Sequence, residues 1–257
     1  MKNFVLFILT LSLFNITGLA QQSGSDFDTT QFNRRLELAN RFVDYEYFTE
    51  QALNAISNQT ELESAEWFSY TGSNCWFTVA GKTDNNTFII SKHLKTDPSG
   101  NITEYTGIYD TSKLIASGLA LSQAQKQFQH IRDTSNMYFS NFVNQNPDRT
   151  ISVWYFPAFQ PSGQAIYGCE WEYMFDSSGK SLIKQVSYSN SVTSVWIGQP
   201  RELWLNYRSA DSATVGSLFF VQSFRDYFTR IRIDTRVITS TTSKNSKGNY
   251  IWLHKVK

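Results

Sequence analysis

Apolar residues recur at helical spacing in three separate stretches of the chain. The first stretch predicts a helix over about residues 29–57, the second over about 111–144 and the third over about 212–228. In the second stretch, the run DTSN at 133–136 contains side chains that compete with the helical backbone for hydrogen bonds. A break at that point is therefore compatible with the pattern.

The segments between these helices alternate apolar and polar residues, as half-buried strands do. They are separated by short runs of turn formers, such as TGSN, TDNN, DPSG and DSSG. Short turns between neighbouring strands imply antiparallel pairing. Because the helices come singly between runs of hairpins, we predict an α+β fold whose antiparallel sheets carry the three helices on one face.

The start of the chain has the three parts of a signal peptide in order. Lys2 precedes an apolar run over residues 4–14, and the small residues Gly18 and Ala20 form a cleavage site before Gln21. No later apolar run is long enough to cross a bilayer. We therefore expect a signal peptide at 1–20 and an exported, soluble protein in the periplasm or outside the cell.

The remaining chain, 21–257, is predicted to form a single α+β domain with a possible sub-boundary near 107–111. Two segments, HLKTDPSGNITEY and YMFDSSGKSLIKQ, share Asp-x-Ser-Gly between strand-like flanks. This similarity suggests an internal repeat, although the same residues are common in unrelated turns. The hairpin FDSSGKSLI also resembles the one that closes small secreted PepSY-type modules, which implies a helix combined with antiparallel strands and no particular function.

Composition excludes several functions. The net charge is +1 with 18% charged residues, so there is no electrostatic basis for binding nucleic acid or an anionic membrane. Aromatic residues make up 16% of the chain, which indicates an aromatic-rich core. Cys75 and Cys169 allow one disulfide, which export permits, but two small buried thiols are the favoured interpretation.

Glu170 and Glu172 in the segment GCEWEYMF are candidates for a catalytic pair of carboxylates. Strand alternation puts Cys169 and Trp171 on one face and Glu170 and Glu172 on the other. A solvated outer face explains this pattern most simply. Contact with a ligand and carboxylate catalysis are the alternatives.

The strand TRIRIDTRV places Arg230, Arg232 and Arg236 in one row, where guanidiniums could bind a carboxylate, phosphate or sulfated glycan. The favoured alternative is a solvated edge or outer strand whose row is neutralised by Asp234 and neighbouring acids. Trp154 and the loop residue Phe159 are candidates for contact with a protein or sugar, although burial in the core is the favoured interpretation of the strand aromatics such as Trp154.

Catalytic motifs are missing. The three histidines lack zinc-site spacing, no Gly-x-Ser-x-Gly elbow occurs, and neither cysteine lies in a nucleophile context. We therefore expect no cofactor and no metal.

Three functions remain open. The favoured one is a non-enzymatic binding or envelope-associated protein that engages a peptide, glycan or envelope protein. The competitor is an extracytoplasmic hydrolase acting on a glycan or ester, with Glu170, Glu172 and Asp176 as first suspects. A third possibility is an accessory protein whose sheet edge pairs with another chain.

Overall fold

The computed structural model describes residues 27–56, 65–188, 192–198 and 201–257. Within these ranges the helices are α1 (Thr29–Ile56), α2 (Thr111–Ser135) and α3 (Val215–Phe224), and a single 3-10 turn (Arg225–Tyr227) follows α3. The strands are β1 (Glu66–Gly72), β2 (Cys75–Asp84), β3 (Thr87–Thr96), β4 (Ile102–Glu104), β5 (Phe139–Gln145), β6 (Ile151–Pro157), β7 (Gln164–Tyr167), β8 (Trp171–Phe175), β9 (Leu182–Ser187), β10 (Thr193–Trp196), β11 (Glu202–Tyr207), β12 (Arg230–Thr235), β13 (Ile238–Lys244) and β14 (Tyr250–Val256). The expected signal peptide, residues 1–20, lies outside the described residues.

The described strands form three four-stranded sheets and one two-stranded ribbon. The first sheet has the order β1-β2-β3-β4 and the second β5-β6-β8-β9, and both are antiparallel. The third sheet has the order β11-β12-β13-β14, and its one parallel pair, β11 with β12, is connected through α3. The ribbon pairs β7 with β10. The predicted α+β class with antiparallel sheets is confirmed.

The helices do not share one face, so that part of the prediction is wrong. Phe42 of α1 packs against Trp154 of β6, with ring centroids 6.3 Å apart. Phe128 of α2 stacks on Tyr155, the residue of β6 that follows Trp154, with ring centroids 4.1 Å apart. Because successive side chains of a strand point to opposite faces, α1 and α2 cover opposite faces of the second sheet.

Helix α3 lies on the same face of the second sheet as α1. Phe219 of α3 stacks on Phe156 at 5.1 Å, and Phe156 shares its face with Trp154. The side chain of Thr214 caps α3 by accepting a hydrogen bond from the backbone N–H of Ser217 at 3.0 Å. With helices on both faces, every residue of β6 is buried.

The first sheet is covered in the same way. The hydroxyls of Ser69 on β1 and Thr49 on α1 are hydrogen-bonded at 2.6 Å. Phe68 points to the opposite face, where its ring lies 6.0 Å from that of Phe88. Phe88 in turn packs directly against Gly118 of α2. The first and second sheets therefore both lie between α1 and α2.

Helix α2 ends earlier than the prediction of about residue 144. It ends at Ser135, and Asn136 adopts the left-handed conformation with φ 52°, which terminates the helix. The chain then enters β5, so Phe142 is buried as a strand residue, whereas Tyr138 is 65% exposed. The DTSN run at 133–136 is the sequence feature that marks this end.

Each of the three sheets ends in the same type of hairpin turn. The turns 97–100, 176–179 and 245–248 all have the form Asx-x-x-Gly, and they join β3 to β4, β8 to β9 and β13 to β14. In all three the glycine has a positive φ of 72° to 83°, a conformation that glycine adopts without strain. The internal repeat stays a prediction, but the third sheet uses the turn as well.

The buried apolar side chains form one contiguous cluster that extends from Phe32 on α1 to Ile233 on β12. Of the described helices, none is both long enough and apolar enough to cross a membrane.

Candidate functional site

The edge strands of the first and second sheets, β1 and β5, lie side by side without forming a ladder. β1 pairs with β2 and β5 with β6, and within the described residues no backbone hydrogen bond joins β1 to β5. The early residues of both strands line one cavity and the late residues line another, so the two strands run in the same direction. Tyr45 of α1 lines both cavities and separates them.

The larger cavity lies where the late residues of β1 and β5 meet α1 and the start of α2. Its volume is about 450 Å³, within the range of roughly 300–1,000 Å³ that is usual for ligand sites. We call it the aromatic cleft, and its defining residues are Arg41, Tyr70, Trp76, Tyr105, Tyr109 and Asn144. A concave surface with aromatic walls and a few polar groups is typical of a binding site.

Buried His93 on β3 supports the aromatic wall of this cleft. Its Nε2 is hydrogen-bonded to the hydroxyl of Tyr70 at 2.8 Å, and the rings of Tyr105 and Tyr109 lie 5.1 Å and 4.5 Å from its own. Burial lowers the pKa of His93. Burial, together with Tyr105 and Tyr109, raises the pKa of Tyr70 to about 12. The wall is therefore a packed set of aromatic rings tied together by the hydrogen bond between Tyr70 and His93.

Arg41 supplies a positive charge on the α1 side of the cleft. Its Nη2 donates a hydrogen bond to Oδ1 of Asn144, whose own Nδ2 donates to Asn146 at 2.6 Å. Partial burial of the guanidinium lowers the pKa of Arg41, and nearby Glu37 opposes this shift. Arg41 remains exposed to solvent and forms no ion pair with a carboxylate in the described part of the chain.

The segment before α2 forms the rim of the cleft. Ile108 is 100% exposed and Tyr109 36%, and the hydroxyl of Tyr105 donates a hydrogen bond to the carbonyl of Ile108 at 3.1 Å. Lys113 and Asp110 pair at 3.4 Å at the start of the helix. The rim therefore presents apolar groups to solvent beside one internally neutralised charge pair.

The smaller cavity, of about 390 Å³, lies at the other end of the β1–β5 junction. It is lined by Glu46, Glu50 and Glu66 among apolar side chains, and we call it the acidic cavity. Burial raises the pKa of Glu46, and a hydrogen bond from Ser140 at 2.5 Å opposes this shift. Burial likewise raises the pKa of Glu66. The acidic cavity at this end of the β1–β5 junction therefore carries carboxyl groups, whereas the aromatic cleft at the other end carries the guanidinium of Arg41.

Glu170 is enclosed rather than solvated, so the predicted wet face is wrong. It is 1% exposed, its Oε1 accepts a hydrogen bond from Tyr207, and its carboxyl lies against the backbone of Gly216 in the first turn of α3. Burial raises the pKa of Glu170 to about 7, with Tyr207, Thr214 and Gly216 opposing the shift. The cavity beside it measures about 10 Å³, which is room for about one water molecule.

Glu172 and Trp154 are enclosed as well. Glu172 is 8% exposed and accepts hydrogen bonds from Ser152 at 3.0 Å and Tyr188 at 2.7 Å. Trp154 is 5% exposed and stacks on Tyr188 at 5.7 Å. The face that was expected to meet water is covered by α1 and α3.

The arginine row pairs with neighbouring acids, as the favoured alternative predicted, but Asp234 is not one of them, because it pairs with Arg208 and Lys257. Arg230 and Arg232 pair with Glu202 at 3.1 Å and 3.6 Å, and Arg236 pairs with Asp211 at 2.5 Å. The expected edge position is wrong, because β12 lies between β11 and β13. A role of these arginines in ligand binding stays a prediction.

Phe159 is exposed, as the loop assignment predicted. It is 46% exposed, and its ring lies 6.0 Å from that of Phe224. The following residue, Gln160, fixes the loop through hydrogen bonds to Tyr138 at 3.1 Å. Ligand binding by Phe159 also stays a prediction.

None of the seven candidate ligand-binding residues named from the sequence lines the aromatic cleft. The strand segment EWFSYTG and the Tyr-x-x-x-Tyr spacing of 105–109 are the local signals that could have indicated it. Neither signal could show that β1 meets β5, because that meeting is a tertiary contact. The cleft residues are therefore a finding of the structure.

The chain matches no protein-family model, and no curated protein or solved structure is significantly similar to it. In the part of the chain that is described, no group of three or more His, Cys, Asp or Glu side chains is arranged to hold a metal ion. The geometry of the cleft is therefore the guide to function.

Proposed function

We propose that this chain is an exported, non-enzymatic binding protein that holds a small ligand in the aromatic cleft. The observation that carries this proposal is a 450 Å³ concave site between two unpaired sheet edges, walled by aromatic rings and bordered by one arginine. Aromatic rings supply contact area with little conformational freedom to lose, which favours binding. Arg41, Asn144 and the tyrosine hydroxyls would orient the ligand.

The geometry favours binding over hydrolysis. The cleft contains one carboxylate, Asp110, which caps α2 and pairs with Lys113. Glycoside hydrolysis ordinarily needs two carboxyl groups on opposite sides of the scissile bond. Of the three suspects for a hydrolase, Glu170 and Glu172 lie in the interior without room for a substrate, and Asp176 accepts hydrogen bonds within its own hairpin turn.

Export is supported by the order of charge, apolar run and small residues at the start of the chain. The test is the mass of protein recovered from its own host by gentle fractionation. A periplasmic or secreted form beginning at Gln21 is the expected result. A cell-interior form that keeps residues 1–20 would contradict it.

Binding is tested by native mass spectrometry on the same preparation, followed by titration of the copurified compound into the refolded protein. We expect Tyr109→Ala to weaken binding by roughly tenfold or more, because the ring forms an exposed part of the rim. Tyr227→Ala is the matched control, since Tyr227 is 47% exposed and does not line the cleft. Equal loss in both variants, or chemical conversion of the compound, would contradict the proposal.

A further inference from the structure

The backbone edges along the aromatic cleft are suited to an extended peptide. The late residues of β1 and β5 line the cleft, and neither strand has a ladder partner on the side that faces the other. Unpaired N–H and C=O groups of an edge strand bind a peptide backbone by β-augmentation. A glycan would use the aromatic rings but would leave these backbone groups without a matching partner.

Arg41 adds a requirement for negative charge on the ligand. Its guanidinium borders the cleft, is accessible to solvent and has Asn144 rather than a carboxylate as its hydrogen-bond partner. Of the other charged groups lining the cleft, Lys113 and Asp110 neutralise each other at 3.4 Å. Glu37 on α1 influences Arg41 from outside the cleft lining. The remaining donors of a guanidinium match the two oxygens of a carboxylate.

The size of the cleft favours a chain end over a long segment. About 450 Å³ accommodates a short piece of polypeptide and not a strand that continues in both directions. Tyr45 closes the cleft toward the acidic cavity, so the ligand must stop there. A peptide that ends in the cleft brings its own carboxylate to Arg41.

From these observations we infer that the aromatic cleft binds the C-terminal end of an extended peptide. Arg41 holds the terminal carboxylate, the aromatic wall receives the last side chain, and the edges of β1 and β5 pair with the peptide backbone. This inference rests on the proposed binding function and names its ligand class.

The test compares two libraries of N-acetylated tetrapeptides that differ only at the C-terminus, one with free carboxylates and one with carboxamides. Binding to the full chain is read by affinity selection with mass spectrometry and then by titration of single peptides. We expect the carboxamides to bind roughly tenfold or more weakly, because they lose a charge-assisted pair. This comparison needs no variant and is unaffected by folding defects.

Variants of Arg41 then test whether this residue causes the preference for free carboxylates. Arg41→Gln should abolish the preference for free acids, so that the free-acid and carboxamide peptides bind with equal affinity. Arg41→Lys should restore part of the preference, since it keeps the charge without the bidentate geometry. Arg34→Gln, an exposed arginine on the same helix, is the matched control and should change nothing.

The outcomes separate this inference from the proposed function. Equal affinity of the two libraries, with binding still lost in Tyr109→Ala, would overturn the inference and leave the proposed function standing. Arg41-dependent binding of uronic acid oligosaccharides in place of peptides would overturn the peptide assignment. If the copurified compound also bound without any effect of Tyr109→Ala, both proposals would fail.

Discussion

Glu170 carries a carboxyl group in an almost fully enclosed position. It lies between the hydroxyl of Tyr207 and the first turn of α3, close to the backbone of Gly216. The partly positive N-terminus of a helix favours the carboxylate, but desolvation is the larger effect and raises the pKa of Glu170 to about 7. The folded protein therefore binds a proton at Glu170 more tightly than the unfolded chain does.

This shift predicts a pH dependence of stability. The unfolded pKa of Glu170 is 4.5, so the stabilisation from its proton is fully present below pH 4.5 and is lost as pH rises through about 7. We expect a loss of about 3 kcal/mol over this window, since one pKa unit corresponds to about 1.4 kcal/mol. Glu170→Gln, which stays neutral, should lack this loss.

The measurement is urea unfolding of both proteins at pH 5, 7 and 9. The free energy of unfolding of Glu170→Gln relative to the natural protein should rise with pH. Tyr207→Phe serves as a second variant, because it removes the hydrogen bond to Oε1 without adding a charge. A constant difference between Glu170→Gln and the natural protein at all three pH values would show that Glu170 does not titrate in this range.

Among the elements, α2 packs closely against the first sheet because it has a glycine, Gly118, at the point of contact. A Cβ at Gly118 would lie 2.2 Å from the ring of Phe88, which is itself 2% exposed. Such a distance requires the ring or the helix to move. The helix therefore approaches β3 more closely than any other residue at position 118 would allow.

We expect Gly118→Ala to destabilise the protein despite the better helix propensity of alanine. Overpacking in a core costs about 1–3 kcal/mol, whereas alanine gains about 1 kcal/mol over glycine in a helix. The net loss should therefore reach up to about 2 kcal/mol in urea unfolding. Adding Phe88→Leu, which removes ring atoms, should recover part of that loss. A more stable Gly118→Ala protein would mean that Phe88 repacks freely.

For the whole molecule, the two cysteines report on global unfolding. Cys75 and Cys169 are both buried and unbridged, in agreement with the favoured sequence interpretation. Burial, with a smaller effect from Glu170, raises the pKa of the Cys169 thiol to about 12, so almost no reactive thiolate forms near neutral pH.

We therefore expect alkylation of Cys169 to require unfolding. Under native conditions without reductant, iodoacetamide should modify Cys169 slowly, at a rate that follows the opening of the core. In denaturant, both thiols should react, and the intact mass should rise by two adducts. A protein that accepts no adduct in denaturant until a reductant is added would contain the disulfide.

The architecture of the whole molecule also explains why several sequence interpretations failed together. Glu170 and Glu172 are expected on a solvated face from the sequence because a strand with alternating residues usually has one wet face. Helices on both faces of the second sheet removed that wet face. Glu170 accepts a hydrogen bond from Tyr207 at one oxygen, and Glu172 accepts hydrogen bonds from Tyr188 and Ser152.

The sequence by itself determined which segments become helices, strands and turns, because periodicity and turn chemistry act over a few residues. The three helices, the antiparallel hairpins and the Asx-x-x-Gly turns could all be predicted in this way. Only the tertiary structure decided that α1 and α2 enclose two sheets between them and that the edges of β1 and β5 meet. Such contacts join residues far apart in the chain, as Arg41 and Asn144 are, and local patterns carry no information about which distant surfaces will bury one another. The aromatic cleft exists only where those edges come together.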